Sequence, residues 1–266
     1  MSHKFVIIIV LSAILTALGF AFFYTKPEPF PTLVEPKSDG ILEVIGLSVE
    51  GREIESYIYG NGAKRLLFVG GIHGGYEWNS ISLAYEMMNY FKLNPEVIPH
   101  NVTVAIIPNL NPDGLEKTSA GRFNAHGVDL NRNFDCKWQS EATWQNKKVS
   151  AGTEAFSEPE SLALKNFVEK YKPNAVVFWH SKANAVYASE CKLGILPETL
   201  DIMNSYAKAS GYQAISSFSA YPVTGDAEGW LASIGIPAIT VELKTHETTE
   251  WGANLLGIKA LLEYYK

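Results

Sequence analysis

The chain has 266 residues, of which 47% are hydrophobic and 19% charged, a composition typical of a globular protein with a substantial core. Its formal net charge of -6 argues against a nucleic-acid binder, because no basic face is indicated.

An apolar segment forms the N-terminus. Residues 5–24 carry no charge and lie between Lys4 and Lys26. A span of about 20 apolar residues matches the hydrocarbon thickness of a bilayer, whereas a signal-peptide core has roughly 7–15. We therefore predict an uncleaved signal anchor, a transmembrane helix, over residues 1–26, with a cleaved signal peptide as the alternative. Residues 27–40 contain four prolines and are interpreted as an extended tether, which leaves residues 41–266 as one globular domain outside the cytoplasm.

Short apolar runs alternate with helical patterns through the rest of the chain. Residues 41–59 predict two strands joined by a turn at residues 50–52, and residues 109–153 are predicted to be mostly loop. Further strands are predicted at 66–69, 102–107, 175–179 and 237–243, and helices at 78–91, from a capping box at 157–160 to Tyr171, at 197–210, 229–234 and 251–264. Strands that are apolar throughout indicate a sheet covered on both faces. The predicted fold is α/β, a single-domain α/β/α sandwich with a mixed, largely parallel twisted sheet.

A glycine-rich junction follows the strand at residues 66–69. Gly70, Gly71, Gly74 and Gly75 surround His73, and Glu77 comes two residues after Gly75. Imidazole and carboxylate are both zinc ligands, and a glycine-rich turn leaves space for a substrate. By itself this pattern also fits a tight turn with an incidental His and Glu.

Ionisable residues also end two other predicted strands. His180 directly follows the strand at 175–179, and Glu242 lies near the end of the strand at 237–243. Ligands of open α/β sheets bind beyond the carboxyl ends of the strands, so these side chains are expected to meet there. His73, Glu77 and His180 would then hold one zinc ion per chain with an open fourth position. Glu242 would act as general base toward a water that zinc activates.

The long loop contributes cationic residues. Arg122 precedes the segment 127–133, which contains Asn131 and Arg132. A guanidinium group can bind a carboxylate through two parallel hydrogen bonds, and the neighbouring Asn adds a donor. The other arginine would stabilise an oxyanion. Surface ion pairs are the alternative for either arginine.

The two cysteines, Cys136 and Cys191, have no CxxC spacing, which argues against a cysteine metal site. An even cysteine count in an exported domain predicts one disulfide, whereas both thiols would be free in a reducing cytosol.

Residues 42–265 resemble the zinc metallocarboxypeptidase family, which comprises the carboxypeptidase A/B enzymes and their bacterial murein-peptide relatives, carboxypeptidases and amidases. Several motifs stand in family order: residues 50–52, His73 with Glu77 and Trp78, 111–114, 127–133, 180–181, Tyr221 with Trp230, and 241–243.

The resemblance implies a role for each matching residue. It implies zinc on His73, Glu77 and His180, with Glu242 as general acid/base. Arg122 would polarise the scissile carbonyl. Asn131 and Arg132 would bind the substrate carboxylate. Tyr221 would be the mobile tyrosine that closes over the substrate.

Two features depart from the family pattern. The family usually separates its first two ligands by two residues, whereas three separate His73 from Glu77, and we expect a bulge to absorb the extra residue. Asp226 and Glu228 lie where related enzymes place the pocket for the released side chain. There they would favour a basic or amine-bearing residue, although acidic residues are also common on solvated loops.

The sequence therefore predicts a monomeric, membrane-anchored zinc metallocarboxypeptidase that acts outside the cytoplasm on peptides with a free C-terminal carboxylate, including cell-wall peptides. One alternative is a zinc deacylase of acyl-amino acids on the same scaffold. The other is a catalytically inactive domain that binds peptide carboxylates.

Overall fold

The computed structural model of the protein describes residues 40–116, 121–192 and 194–266. The strands in these residues are β1 (Ile41–Leu47), β2 (Glu53–Gly60), β3 (Lys64–Val69), β4 (Val102–Ile107), β5 (Glu141–Trp144), β6 (Lys147–Ser150), β7 (Ala175–Ser181), β8 (Ala185–Ala188), β9 (Gln213–Ile215) and β10 (Ala238–Leu243). Eight of them form one sheet in the order β1-β2-β4-β3-β7-β10-β8-β9, and β5 pairs with β6 in a separate hairpin.

The centre of the large sheet is parallel. Strands β4, β3, β7 and β10 are parallel neighbours, while β1, β2 and β8 pair antiparallel at the two sides. The central strands are buried along nearly their whole length, since helices cover both faces. The predicted mixed, largely parallel sheet is therefore confirmed, and the carboxyl ends of the central strands share one edge.

The helices form two layers, one on each side of the sheet. They are α1 (Trp78–Leu93), α2 (Pro112–Glu116), α3 (Pro159–Tyr171), α4 (Pro197–Ser210), α5 (Ala227–Ser233) and α6 (Trp251–Tyr264). Side chains of α1, α4 and α6 share one hydrophobic cluster with Leu66 and Phe68. Side chains of α3 and α5 share the other cluster with Leu67 and Val69. Alternate residues of β3 thus face opposite layers, as the period-2 geometry of a strand requires, and the α/β/α sandwich is confirmed.

The structure adds short elements to these predictions and corrects one of them. Most of the described residues in 109–153 lie outside helices and strands, as predicted, but the region also contains α2 and the β5–β6 hairpin. Strands β8 and β9 had no predicted counterpart. Helix α3 begins at Pro159 with Glu158 as its N-cap, and Ser157 donates its hydroxyl to Glu158 Oε1 at 2.9 Å. The predicted capping box at 157–160 is therefore wrong, since Ser157 lies outside the cap position.

The predicted anchor at 1–26 and the tether at 27–40, apart from Gly40, lie outside the described residues. Within the part of the chain that the structure describes, no helix has the length and apolar character to cross a membrane. The assignment of residues 41–266 to one domain stays a prediction.

The predicted disulfide between Cys136 and Cys191 is present, and it joins residues separated by 55 positions. The Cys136 carbonyl also accepts a hydrogen bond from the Gly225 N–H at 2.7 Å. The disulfide therefore ties the chain after Arg132 to the chain after β8.

Loss of this disulfide is expected to destabilise the fold. For a closed loop of this length, the chain-entropy model gives about 4 kcal/mol, so the double variant Cys136→Ser/Cys191→Ser should unfold at markedly lower urea concentration. Urea unfolding of the wild type with and without reductant provides the comparison. Reductant should have no effect on the double variant, and equal midpoints for the oxidised wild type and the variant would contradict the expectation.

Candidate metal centre and substrate site

Three buried side chains converge at the carboxyl edge of the central strands. His73 Nδ1 lies 2.9 Å from Glu77 Oε1, and His180 Nδ1 lies 3.0 Å from Glu77 Oε2. The two Nδ1 atoms are themselves 3.2 Å apart. The structure thus brings together the three predicted zinc ligands, and among the described residues they are the one group of this kind arranged to hold a metal ion.

A short 3₁₀ helix, Gly74–Glu77, absorbs the extra residue between His73 and Glu77. Gly74 adopts φ +48°, and a Cβ there would lie 2.7 Å from Gly114 Cα. Only glycine accepts both the left-handed backbone and this close approach. A tight helical turn therefore replaces the expected bulge, and it brings the Glu77 carboxylate beside the His73 imidazole.

The third ligand comes from strand register. In the parallel pair β7–β10, His180 is the partner of Glu242. Paired residues of neighbouring strands present their side chains on the same face of a sheet, so the predicted ligand and the predicted base lie side by side. His180 is itself the penultimate residue of β7 rather than a residue beyond the strand, which fixes its backbone in the ladder.

Each histidine has a carboxylate on its other ring nitrogen. His73 Nε2 lies 3.3 Å from Asp129 Oδ1, and His180 Nε2 lies 3.2 Å from Glu228 Oε1. Such carboxylates fix the ring orientation and raise the basicity of the nitrogen that faces the metal. Thr240 donates its hydroxyl to Glu228 at 2.9 Å, so this carboxylate is held in turn.

The electrostatics of the cluster favour positive charge beside Glu77. Burial disfavours the charged form of Glu77, but His73 and His180 outweigh it and hold the pKa of this carboxyl well below its usual range. Burial likewise disfavours an imidazolium, yet Glu77 and Glu228 raise the pKa of His180 to about 10. Two nitrogen donors and a carboxylate in a buried, negatively charged setting fit zinc, which takes this donor set.

Glu242 lies beside the ligands and is poised as a proton acceptor. Its Oε2 is buried and has no hydrogen-bond partner among the described residues. Burial first, and then the charge of Glu77, raise the pKa of Glu242 to about 7. A general base is most effective when its pKa is near the working pH, so this environment suits the predicted role.

Arg122 reaches the ligand cluster from the long loop. Its Nε donates to Asp129 Oδ2 at 2.9 Å, and its Nη1 lies 3.1 Å from His73 Nδ1. The guanidinium also lies 4.5 Å from the centroid of the Trp144 ring. Arg122 is thus a buried side chain directed at the centre, and the surface ion pair that was the alternative is excluded.

Asn131 and Arg132 lie on the short 3₁₀ helix Leu130–Arg132, whose N-cap is Asp129. Asn131 Oδ1 accepts from the Ala227 N–H at 2.8 Å, which orients the amide so that its Nδ2 is the donor toward a ligand. Arg132 Nε donates to the Thr143 carbonyl at 3.1 Å. Both side chains are buried and held by the protein, as a preformed carboxylate site requires.

Tyr221 lies in the loop before α5, and its ring contacts Phe218 edge to face at 4.9 Å. Burial raises the pKa of the Tyr221 phenol, while the charges of Arg132 and Arg122 act in the opposite direction. Gly225, at the end of this loop, donates to Cys136 and accepts from Phe134. The tyrosine loop and the segment after Arg132 are therefore joined.

Comparison with known proteins identifies the family. The model of the zinc carboxypeptidase family, peptidase M14, matches residues 37–254, most of the chain. The protein belongs to this family. Zinc carboxypeptidases are peptide hydrolases that use zinc, and the His73, Glu77 and His180 cluster supplies the ligands that such an enzyme needs.

The relatives of the chain in the zinc carboxypeptidase family include bacterial peptidases and amidases. Gamma-D-glutamyl-L-diamino acid endopeptidase 1 of Lysinibacillus sphaericus is 24% identical over 239 residues, which cover 75% of this chain and 59% of that protein. Murein peptide amidase A of Escherichia coli is 26% identical over 186 residues, which cover 66% of this chain and 69% of the relative. The chain thus spans little more than half of the first relative and about two thirds of the second.

Solved structures show the same zinc carboxypeptidase fold. Murein-tripeptide amidase of Escherichia coli O157 aligns with a TM-score of 0.69 at 22% identity, covering 88% of this chain and 95% of that one. Carboxypeptidase A of Helicoverpa armigera aligns with a TM-score of 0.71 at 17% identity, covering 85% and 68% of the two chains. These structures support the fold alone.

Asp226 and Glu228, predicted to contact the released side chain, have partners within the protein itself. Asp226 caps α5 by accepting from the Gly229 N–H at 2.7 Å, and burial together with the neighbouring Glu228 raises its pKa to about 6. Glu228 contacts His180. The structure thus gives both carboxylates internal roles, and their contact with substrate stays a prediction.

Sequence reasoning missed two residues of the site. Asp129 bridges His73 and Arg122, and Trp144 covers the Arg122 guanidinium. Asp129 stands two residues before Asn131 in the 127–133 motif, so the motif itself was the available signal. No comparable sequence signal marks Trp144, because its contact depends on the unpredicted hairpin.

The tight turn at Gly74 gives a test of ligand geometry. Gly74→Ala should lower zinc affinity and thermal stability, because its Cβ would displace the Gly114 backbone, and left-handed backbone costs a non-glycine residue about 1–3 kcal/mol. The control is Gly211→Ala, which has φ +79° but no neighbour within 4 Å of an added Cβ. It should lose stability without losing zinc affinity. Equal zinc affinity in Gly74→Ala and wild type would show that the turn does not position Glu77.

Proposed function

We propose that the protein is a zinc-dependent carboxypeptidase that hydrolyses the C-terminal peptide bond of peptides outside the cytoplasm. The observation that carries this proposal is the continuity between Asn131, Arg132 and the metal cluster. Asp129 caps the helix that carries both residues and also contacts His73 and Arg122. A carboxylate site built into the same hydrogen-bonded unit as the metal ligands would hold a peptide C-terminus next to the centre, which supports the proposal.

Substrate binding would begin at the carboxylate. The guanidinium of Arg132, braced on the Thr143 carbonyl, would pair with the C-terminal carboxylate, and Asn131 Nδ2 would donate a further hydrogen bond. Tyr221 would close over the terminal residue from its loop and exclude water. These contacts select peptides with a free C-terminus, because an amide would leave the buried Arg132 charge unpaired.

Arg122 and Glu242 would carry the chemical step. Bound zinc would supply an activated water at neutral pH, since it lowers the pKa of its water to about 7. Glu242 would accept a proton at the buried Oε2 and deliver it to the leaving amine nitrogen, and the Arg122 guanidinium would stabilise the developing oxyanion. His73, Glu77 and His180 would hold the metal, and Asp129 and Glu228 would fix the two imidazole rings.

Cell-wall peptides are the substrates that we propose within this class. The name of the Escherichia relative refers to murein peptides, and the name of the Lysinibacillus relative refers to a gamma-D-glutamyl-L-diamino acid bond. A structural disulfide supports an oxidising compartment outside the cytoplasm, where such peptides occur. Glu228, beside the ligands, and Asp226 are acidic groups that would favour a basic or amine-bearing terminal residue.

The test is mass spectrometry of products released by the zinc-loaded protein from a mixed pool of peptides and muropeptides. We expect loss of single C-terminal residues, with peptides ending in lysine or a diamino acid cleaved first. C-terminally amidated copies of the same peptides serve as the matched control and should be resistant. Cleavage that ignores amidation, or turnover confined to acyl-amino acids, would contradict the proposal and favour the deacylase alternative. Equal rates on peptides ending in lysine, glutamate and leucine would remove the acidic-pocket assignment alone.

A further inference from the structure

The β5–β6 hairpin lies beside the site through the contacts of Thr143 with Arg132 and of Trp144 with Arg122. It belongs to no other sheet, and its few buried side chains, Ala142 and Val149, form a small cluster with Ala151. Phe123, Trp138 and Trp144 are partly buried against that cluster. Such a small hydrophobic cluster contributes little to the stability of the fold. The contacts of the hairpin with the rest of the chain therefore indicate its role.

Three of those contacts reach the segment that carries the predicted substrate groups. The Trp144 ring covers the Arg122 guanidinium at 4.5 Å, and the Thr143 carbonyl accepts from Arg132 Nε at 3.1 Å. On the other strand, the Ser150 carbonyl accepts from the Asp129 N–H at 2.9 Å. Two adjacent residues of β5 therefore hold the two arginines, and β6 holds the aspartate between them.

We propose that the β5–β6 hairpin positions both arginines, and that Trp144 is the residue that fixes the Arg122 guanidinium for its role at the substrate carbonyl. The role of Arg122 at the substrate carbonyl rests on the proposed function, whereas the contact between Trp144 and Arg122 does not. Trp144 acts through Arg122 and is a positioning residue. The Thr143 backbone does the same for Arg132 without depending on its own side chain.

The other side-chain partners of the Arg122 guanidinium are two predicted metal ligands and Asp129, which contacts one of them. The Nη1 of Arg122 lies 3.1 Å from His73 Nδ1 and 3.5 Å from Glu77 Oε1, and Asp129 Oδ2 accepts from its Nε. A cation over the face of an indole is attracted by the electron-rich ring, so Trp144 offers a counter-contact that carries no negative charge. Without the ring, the guanidinium would keep only its contacts with His73, Glu77 and Asp129.

The orientation of the Trp144 ring is itself fixed. Tyr76, one residue before the predicted ligand Glu77, meets Trp144 edge to face at 5.5 Å, and Phe123 contacts it from another direction at 6.5 Å. Perpendicular aromatic contacts of this kind are favourable because ring edges are positive and ring faces negative. The hairpin is thereby linked to the turn that carries Glu77.

The first test compares Trp144→Leu, Trp144→Phe and Trp138→Leu on a peptide substrate. Trp138 packs on the same small cluster but donates to the Ala151 carbonyl at 3.0 Å, so it controls for general damage to the hairpin. We expect kcat of Trp144→Leu to fall about tenfold with KM within twofold of wild type, because Arg132 keeps its backbone partner. Phenylalanine, which retains an aromatic face, should restore most of kcat. A fall no larger than that of Trp138→Leu, or a change confined to KM, would overturn the proposal.

The second test needs no catalysis. The chain has four arginines, Arg52, Arg65, Arg122 and Arg132, so protein labelled with ¹⁵N-arginine gives a countable set of Nε–H resonances. The resonance of Arg122 should carry a ring-current shift that disappears in Trp144→Leu and persists in Trp138→Leu. An unchanged resonance in folded Trp144→Leu would overturn the contact. An inactive wild type that shows the shift would instead overturn the proposed function and leave the positioning contact intact.

If Trp144→Leu does not fold, tryptophans of increasing fluorination at position 144 replace it. Fluorination weakens the negative face of the ring while nearly preserving its shape. A stepwise fall of kcat with fluorination is expected, and a constant kcat across the series would exclude an electrostatic role of the ring.

Discussion

Glu242→Gln is expected to lower kcat on peptide substrates by about 10²–10⁴-fold, the range that a positioned general base contributes. Glutamine preserves the shape of the side chain but cannot accept the proton that the buried Oε2 is placed to receive. KM should change little, because the carboxylate contacts of Asn131 and Arg132 are untouched. Zinc content should equal that of wild type, since Glu242 is not among the three clustered ligands.

The pH dependence follows from the same group. Burial and Glu77 raise the pKa of Glu242 to about 7, so at lower pH this carboxyl is protonated and cannot act as a base. The kcat/KM of the wild type should therefore fall as pH decreases, with an acid limb at or below about pH 7, because a bound cation lowers this pKa. That limb should be absent from any residual activity of Glu242→Gln.

Glu247→Gln is the matched control, since Glu247 is exposed on the loop after β10. It should retain wild-type kcat and the wild-type acid limb. Hydrolysis by Glu242→Gln at the wild-type rate would show that the assigned mechanism is wrong, whatever the metal content.

The second large effect is expected from His180→Ala, which should lose zinc. The substitution removes one nitrogen donor and leaves Glu77 and Glu228 buried without the imidazole that lies between them. Loss of an outer partner alone typically costs 10–100-fold in metal affinity, so loss of a direct ligand should cost more. Glu228→Gln, which keeps the ligand and alters its partner, should fall in that smaller range.

Zinc affinity is measured by competition with a chromophoric chelator, and zinc content by elemental analysis. His100→Ala is the control, because His100 is an exposed residue on another surface loop, and it should bind zinc as the wild type does. Full retention of zinc by His180→Ala would remove this residue from the ligand set.

Much of the site was predictable because it depends on strand ends. His73, His180 and Glu242 are placed by β3, β7 and β10, and continuous apolar runs identify buried parallel strands well. The carboxyl ends of such strands lie at one edge of the sheet, so their meeting follows from topology alone.

What the sequence did not predict depends on short or unusual local structure. The turn of the β5–β6 hairpin uses Gln145 and Asn146 at φ +47° and +60°, whereas the usual sequence signal for such a turn is Asn-Gly or Asp-Gly. Strands β5 and β6 have four residues each, which is too few to show the alternation of apolar and polar residues that identifies a strand. The contact of Glu228 with His180 was equally hidden, because it depends on where α5 packs against the sheet.

The close approach of Gly74 to Gly114 has an evolutionary consequence. A Cβ at position 74 would meet backbone atoms of Gly114, which every residue has, whereas a Cβ at position 114 would meet Asn111 and the Gly121 carbonyl instead. The need for glycine at position 74 is therefore independent of the residue type at position 114. Homologues that share the three-residue spacing and this turn are expected to keep glycine at position 74 whatever residue stands at position 114.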